Sequence, residues 1–127
     1  MTREAVTSQQ GVAVGPYSHA IVSDPFVYLS GQTPIDPATG ALTSGTIEDR
    51  TRQCFTNLRA VLNAAGLDFE DVVKCNVFLT DMADFAAMNR AYAEHFTEPF
   101  PARTTVAVAA LPLGADVEIE MVARVRT

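Results

Sequence analysis

The chain has 127 residues, of which 48% are hydrophobic and 19% charged, with a formal net charge of -6. This describes a single core-forming domain over residues 1–127 rather than a disordered chain. The acidic balance argues against a nucleic-acid partner, since phosphate-tracking surfaces are basic. No apolar run is long enough to span a bilayer, and Met1-Thr2-Arg3-Glu4 lacks the basic and apolar regions of a signal segment, so no membrane partner and a cytoplasmic location are expected.

In chain order, residues 1 to 14 hold at most a short edge strand before the turn signal Gly15-Pro16-Tyr17-Ser18. Ser18 to Val22 and Phe26 to Ser30 read as strands joined by the reversal Ser23-Asp24-Pro25, a hairpin. Gly31-Gln32-Thr33-Pro34 leaves the second strand, and a glycine there lets a ligand approach the backbone closely or serves as a plain strand exit. Asp36-Pro37-Ala38-Thr39-Gly40 is a turn, because proline presets φ and glycine accepts positive φ.

Thr46-Ile47-Glu48-Asp49 has the form of a capping box, with Asp where Glu is commoner. Behind it Ile47, Cys54, Phe55, Leu58, Val61, Leu62 and Ala65 recur at helical spacing, and Gly66 supplies the stop. Asp71 to Thr80 reads as a strand with Val73, Cys75, Val77 and Leu79 on one face and Val72, Lys74, Asn76 and Phe78 on the other. Asp81 or Asp84 caps a second helix whose inner stripe is Phe85, Met88, Tyr92 and Phe96. Asn89 lies beside that stripe, where its amide needs a hydrogen-bond partner.

Pro101 marks the first residues of a strand in which Arg103, Thr105 and Ala107 share one face. A turn at Leu111-Pro112-Leu113-Gly114 leads to the last strand, from about Asp116 to Arg126. Its Glu118, Glu120, Val122 and Arg124 oppose an apolar row. Two helices for about six strands predict an α+β, two-layer sandwich of a mixed sheet with both helices on one face. Thr105, Ala107 and Val122 are expected on the uncovered face, which a homo-oligomer with inward-facing sheets would cover, placing sites between subunits.

The chemistry available is narrow. His19 and His95 are the histidines, neither set in a nucleophile or metal motif, and both read more simply as packed residues. Cys54 and Cys75 lack metal or redox spacing and read as buried small hydrophobes. No metal, nucleotide loop or other cofactor is expected, and Lys74, the sole lysine, is a poor Schiff-base candidate in mid-strand. What remains is Arg103 and Glu118, expected on neighbouring and paired strands: a bidentate clamp for a substrate carboxylate, and a carboxylate able to position or deprotonate a water. The plainer alternative is a surface Arg–Glu pair.

Gly15-Pro16-Tyr17-Ser18, Leu29-Ser30-Gly31-Gln32, the helix around Asn89, Pro101-Ala102-Arg103-Thr104-Thr105 and Val117-Glu118-Ile119-Glu120 together resemble the RidA/YjgF family of reactive-intermediate deaminases, in order and over nearly the whole chain. The resemblance implies a chorismate-mutase-like homotrimer with three intersubunit clefts and a small imine, enamine or 2-keto acid as ligand. It implies hydrolysis of intermediates such as 2-aminoacrylate and 2-iminobutyrate to 2-keto acids and ammonia, without a cofactor. On matching positions, Arg103 would bind the substrate carboxylate, Glu118 would hold the attacking water, and Tyr17, Ser30, Gly31, Asn89 and Thr105 would shape the cleft.

Two departures stand out. Thr105 occupies a position where well-known members carry cysteine, so thiol-based regulation is not expected there, and His19 stands where glutamine is commoner. Alternatives consistent with the same residues are a pathway-specific deaminase, of aminoacrylate from pyrimidine breakdown or of 2-aminomuconate, and a non-catalytic, chaperone-like trimer that binds 2-keto acids. A ribonuclease activity, also attributed to the family, fits poorly with the acidic chain.

Overall fold

The computed structural model describes residues 3–9 and 15–127. Eight strands and two α-helices follow one another as β1 (Glu4–Val6), β2 (Ala20–Ser23), β3 (Phe26–Gln32), β4 (Ile35–Asp36), β5 (Ala41–Leu42), α1 (Ile47–Ala64), β6 (Val72–Leu79), α2 (Phe85–Ala93), β7 (Ala102–Ala107) and β8 (Val117–Arg124). Six of the strands form one mixed sheet in the order β1-β2-β3-β8-β6-β7, while β4 and β5 make a separate two-stranded ribbon. The expected two-layer α+β architecture is what the chain adopts. The expected edge strand near the N-terminus is β1; residues 1, 2 and 10–14 lie outside the described residues.

Local chemistry fixes α1. The Thr46 hydroxyl accepts from the Asp49 amide at 3.2 Å while the Asp49 carboxylate accepts from the Thr46 amide at 3.1 Å, a capping box worth about 1 kcal/mol at the helix start. Gly66, at φ +77°, takes the left-handed conformation that ends the helix. Phe55, Leu58 and Leu62 are completely buried against Val77, Leu79, Val117 and Ile119 of the sheet. At the C-terminal end of α2, Phe55 stacks on His95 with ring centroids 4.2 Å apart, and the His95 Nδ1 donates to the Ala91 carbonyl at 2.9 Å. His95 is a packed residue, and its burial lowers its pKa.

Three expectations need correction. Val72, not Val73, faces the core, because a register shift between Val72 and Lys74 against β8 turns the chain over at its start; Val73 is 41% exposed and Val72 7%. The second helix is shorter than its stripe: a 3-10 turn capped by Asp81 precedes it, Asp84 makes no side-chain cap, and Phe96 lies past its end. Most consequentially, β7 and β8 are not paired. β6 lies between them, parallel to β7 and antiparallel to β8.

That arrangement also reassigns faces. Arg103, Thr105 and Ala107 are in register with Cys75, Val77 and Leu79, which are buried beneath the helices. Thr105 and Ala107 therefore lie on the helix side and not on the uncovered face. The open side presents Val122, as expected, together with Tyr28, Phe78 and Val106, with Tyr28 48% and Val106 40% exposed. Among the described residues no helix is long and apolar enough to cross a membrane.

Candidate active site

A cleft of about 650 Å³ lies where β3, β8 and the β4–β5 ribbon meet, and Tyr17, Ser30, Gly31 and Glu118 all line it. Each is placed by backbone pairing. The Ser30 amide donates to the His19 carbonyl at 2.9 Å, and the Ser30 hydroxyl to the Ser18 carbonyl at 2.7 Å, which fastens the Tyr17–Ser18 turn to β3. His19 is itself buried, its Nδ1 accepting the Ser8 amide at 3.0 Å.

Between Leu29 and Gln32 the register of β3 against β8 shifts, and Gly31 sits within that irregularity. A Cβ built on Gly31 would overlap the Glu118 carboxylate. A side chain at this position would displace the Glu118 carboxylate from its place against the backbone. Glu118 itself makes no ion pair among the described residues. Burial, and then the neighbouring charge of Glu120, raise its pKa above the usual glutamate value, which makes it a stronger base. Glu120 is tied down differently, accepting from the Asn76 amide at 2.9 Å.

Arg103, Thr105 and Asn89 do not line this cleft: Arg103 and Thr105 lie on the helix side of β7, and Asn89 is on α2. The Arg103 guanidinium lies 4.6 Å from the Tyr92 ring centroid and 5.6 Å from that of Phe85, both on α2. Arg50, Arg52, Arg59, Arg90 and Arg126 all end on carboxylates, whereas Arg103 makes no ion pair among the described residues. The Asn89 Oδ1 and Thr105 Oγ1 are buried without a hydrogen-bond partner, so the partner expected for Asn89 is not supplied. Unpaired buried acceptors of this kind are costly and concentrate where a ligand or a neighbouring molecule completes the bonding.

Glu118 of β8 pairs with Phe78 and Arg103 of β7 with Cys75, partners three residues apart on β6, so the two side chains project from opposite faces of the sheet. Tyr92 and Phe85 were read from sequence only as an apolar stripe. Nothing in their periodicity distinguishes a ring that packs in a core from one that holds a guanidinium. Asn57 was also missed: its amide donates to the Thr33 and Ile35 carbonyls at 3.2 and 2.8 Å, holding the cleft's rim against α1.

This geometry can be set beside known proteins. Residues 7–125 match the family model described as Endoribonuclease L-PSP. A RutC family protein of Pyrococcus horikoshii is 50% identical over 110 residues, covering 87% of each chain. A goat (Capra hircus) protein named 2-iminobutanoate/2-iminopropanoate deaminase is 46% identical over 117 residues, covering 92% of this chain and 85% of that one. The crystal structure of RidA from an Antarctic Psychrobacter superposes with a TM-score of 0.92 at 43% identity, covering 97% of this chain and 100% of that one. With a family match spanning almost the entire sequence and relatives of this similarity, the chain belongs to the RidA/YjgF family.

Proposed function

We propose that the protein is an enamine/imine deaminase that hydrolyses small 2-imino acids, of the 2-aminoacrylate and 2-iminobutyrate type, to 2-keto acids and ammonia. The observation that carries this reading is the pair of half-sites: a partly buried carboxylate of raised basicity and a guanidinium held over aromatic rings, neither of them ion-paired among the described residues. The goat relative's name supports the same substrate class.

The two halves cannot serve one small substrate within a single chain, because the sheet lies between them. They serve it when Arg103 of one copy meets the Glu118 cleft of another. The open, partly apolar sheet face of Tyr28, Phe78, Val106 and Val122 supplies a surface for such association, and a homotrimer with three intersubunit sites is the assembly we propose.

In that site Arg103 binds the substrate carboxylate through two parallel N–H donors. Glu118 removes a proton from water as the oxygen adds to the imine carbon, forming a carbinolamine. The carboxylic acid returns that proton to nitrogen, completing the neutral carbinolamine; the Glu118 carboxylate then carries the hydroxyl proton to the same nitrogen, the C–N bond breaks, and ammonia leaves as the carbinolamine oxygen becomes the keto group. Atoms and protons balance with water as the only co-reactant, so no cofactor is needed. Tyr17, Ser30 and Gly31 shape the cleft, and the buried oxygens of Asn89 and Thr105, without a hydrogen-bond partner of their own, are available to substrate or to a neighbouring subunit.

The test is a coupled assay in which a pyridoxal-phosphate-dependent threonine or serine dehydratase generates the imine in situ. The wild type should accelerate keto-acid release, and Arg103→Ala and Glu118→Ala should return it to the uncatalysed rate while remaining folded. No acceleration by wild type with either imine would reject the general deaminase and favour a pathway-specific substrate or a binding-only role.

A further inference from the structure

Arg103 differs from most arginines of this chain in what holds it. We propose that Tyr92 and Phe85 are positioning residues that clasp the Arg103 guanidinium between their rings and thereby set the strength of carboxylate recognition; the inference rests on Arg103 being the carboxylate clamp. The ring centroids lie 4.6 Å and 5.6 Å from the guanidinium carbon. The two residues are seven apart on α2, and two helical turns separate them by about 10.5 Å along the axis, room for a guanidinium between the rings.

The chemistry favours rings over carboxylates as the support. An aromatic face attracts the cation through its quadrupole and leaves the in-plane N–H edge unspent. A carboxylate, as at Arg52 with Glu94 at 2.8 Å, occupies that edge and competes with substrate. The support is also firm on one side: Tyr92 is 5% exposed and fixed against Phe55 and Phe96, with centroids 5.5 and 5.1 Å away. Phe85, 37% exposed, closes the outer side. A long, rotamer-rich side chain is held in place before substrate arrives, so less freedom is lost on binding.

Burial, and then the Cys75 thiol beside it, drive the pKa of the Tyr92 hydroxyl upward, so it contributes no charge near the clamp. The ring, not the hydroxyl, is the element the proposal uses.

The test measures binding of 2-ketobutanoate and of its neutral amide, 2-ketobutanamide, by titration calorimetry. It compares wild type, Tyr92→Phe, Tyr92→Leu, Phe85→Leu and Arg103→Ala, with oligomer mass and Tm as controls. Wild type should prefer the acid. Tyr92→Phe should keep that preference, whereas Tyr92→Leu and Phe85→Leu should each lose about 3- to 30-fold of it, with KM for the imine rising and kcat little changed. A general loss of packing would weaken acid and amide alike, and Phe85→Leu, at a half-exposed position, guards against a Tyr92→Leu variant that fails to fold.

Full preference in both leucine variants would overturn the proposal, as would a Tyr92→Phe variant as impaired as Tyr92→Leu. Equal binding of acid and amide by wild type would overturn it too, since there would be no clamp to position. If wild type binds the acid selectively yet hydrolyses no imine, the deaminase reading fails while the variants' binding still decides the role of the rings.

Discussion

Arg103 and Glu118 project from opposite faces of one sheet, with β6 between their strands: Arg103 is in register with Cys75 beneath the helices, and Glu118 with Phe78 on the other side. No side-chain rotation brings them to a common substrate within the chain. The relationship turns a question about catalysis into one about assembly, and it sets the predictions that follow.

Replacing Arg103 by Ala should lower kcat/KM about 10²- to 10³-fold, the range for losing two charge-assisted hydrogen bonds. Arg103→Lys should still lose about tenfold or more, because a point charge does not reproduce the planar fork or its fit between two rings. Steady-state kinetics with in situ generated imine reads both.

Glu118→Gln should lower kcat about 10²- to 10⁴-fold by removing the base. The same variant should be more stable than wild type at neutral pH, because folding buries the Glu118 charge beside Glu120. The sign follows from linkage: a carboxylate whose folded pKa is raised disfavours the folded state once it ionises. The stabilisation from substitution is therefore present above the folded pKa and disappears as pH falls below the unfolded value, near 4.3. Thermal melts of both proteins at pH 7 and pH 3.5 test this; a Tm gain at neutral pH that persists unchanged in acid would contradict it.

The activity of wild type should rise with pH as Glu118 deprotonates, with its acidic limb displaced above the ordinary glutamate range by burial. A kcat/KM profile measured against a substrate that does not titrate in that window reports the displacement. A limb at or below the usual glutamate value would count against Glu118 as the base.

Gly31→Ala should cost activity out of proportion to stability. The added methyl group meets the Glu118 carboxylate and pushes it from its place against the backbone. A loss of kcat of about tenfold or more with only a modest change in Tm is expected, since Gly31 has no positive φ that a side chain would strain. Kinetics and melting on the same preparation give the comparison.

Much of this was legible in the sequence where the signal is local. The Thr46–Asp49 box, the Gly66 stop and the alternation of Val117, Ile119 and Met121 each rest on neighbouring residues, and each is realised. Two errors came from non-local facts. The inserted, parallel β6 separates β7 from β8, which no reading of either strand alone reveals, and it moves Thr105 and Ala107 to the helix side. The shift between Val72 and Lys74 exchanges Val72 for Val73 in the core because the partner strand, not the strand's own pattern, sets where a bulge falls. Within the site, Glu118 and Gly31 were visible as separate motifs, but their mutual contact was not. Phe85 and Tyr92 gave the same apolar signal as any core stripe.

The most direct test of the central claim is complementation between inactive variants. Arg103→Ala and Glu118→Gln subunits, each inactive alone, are mixed in equal amounts, unfolded, refolded together and assayed with in situ generated imine. If Glu118 of one copy works with Arg103 of its neighbour in a closed ring, random mixing places a functional pair at about one quarter of the interfaces, and about a quarter of wild-type activity returns. Refolded mixtures that exchange subunits, as verified by mass, yet recover no activity would contradict the shared site.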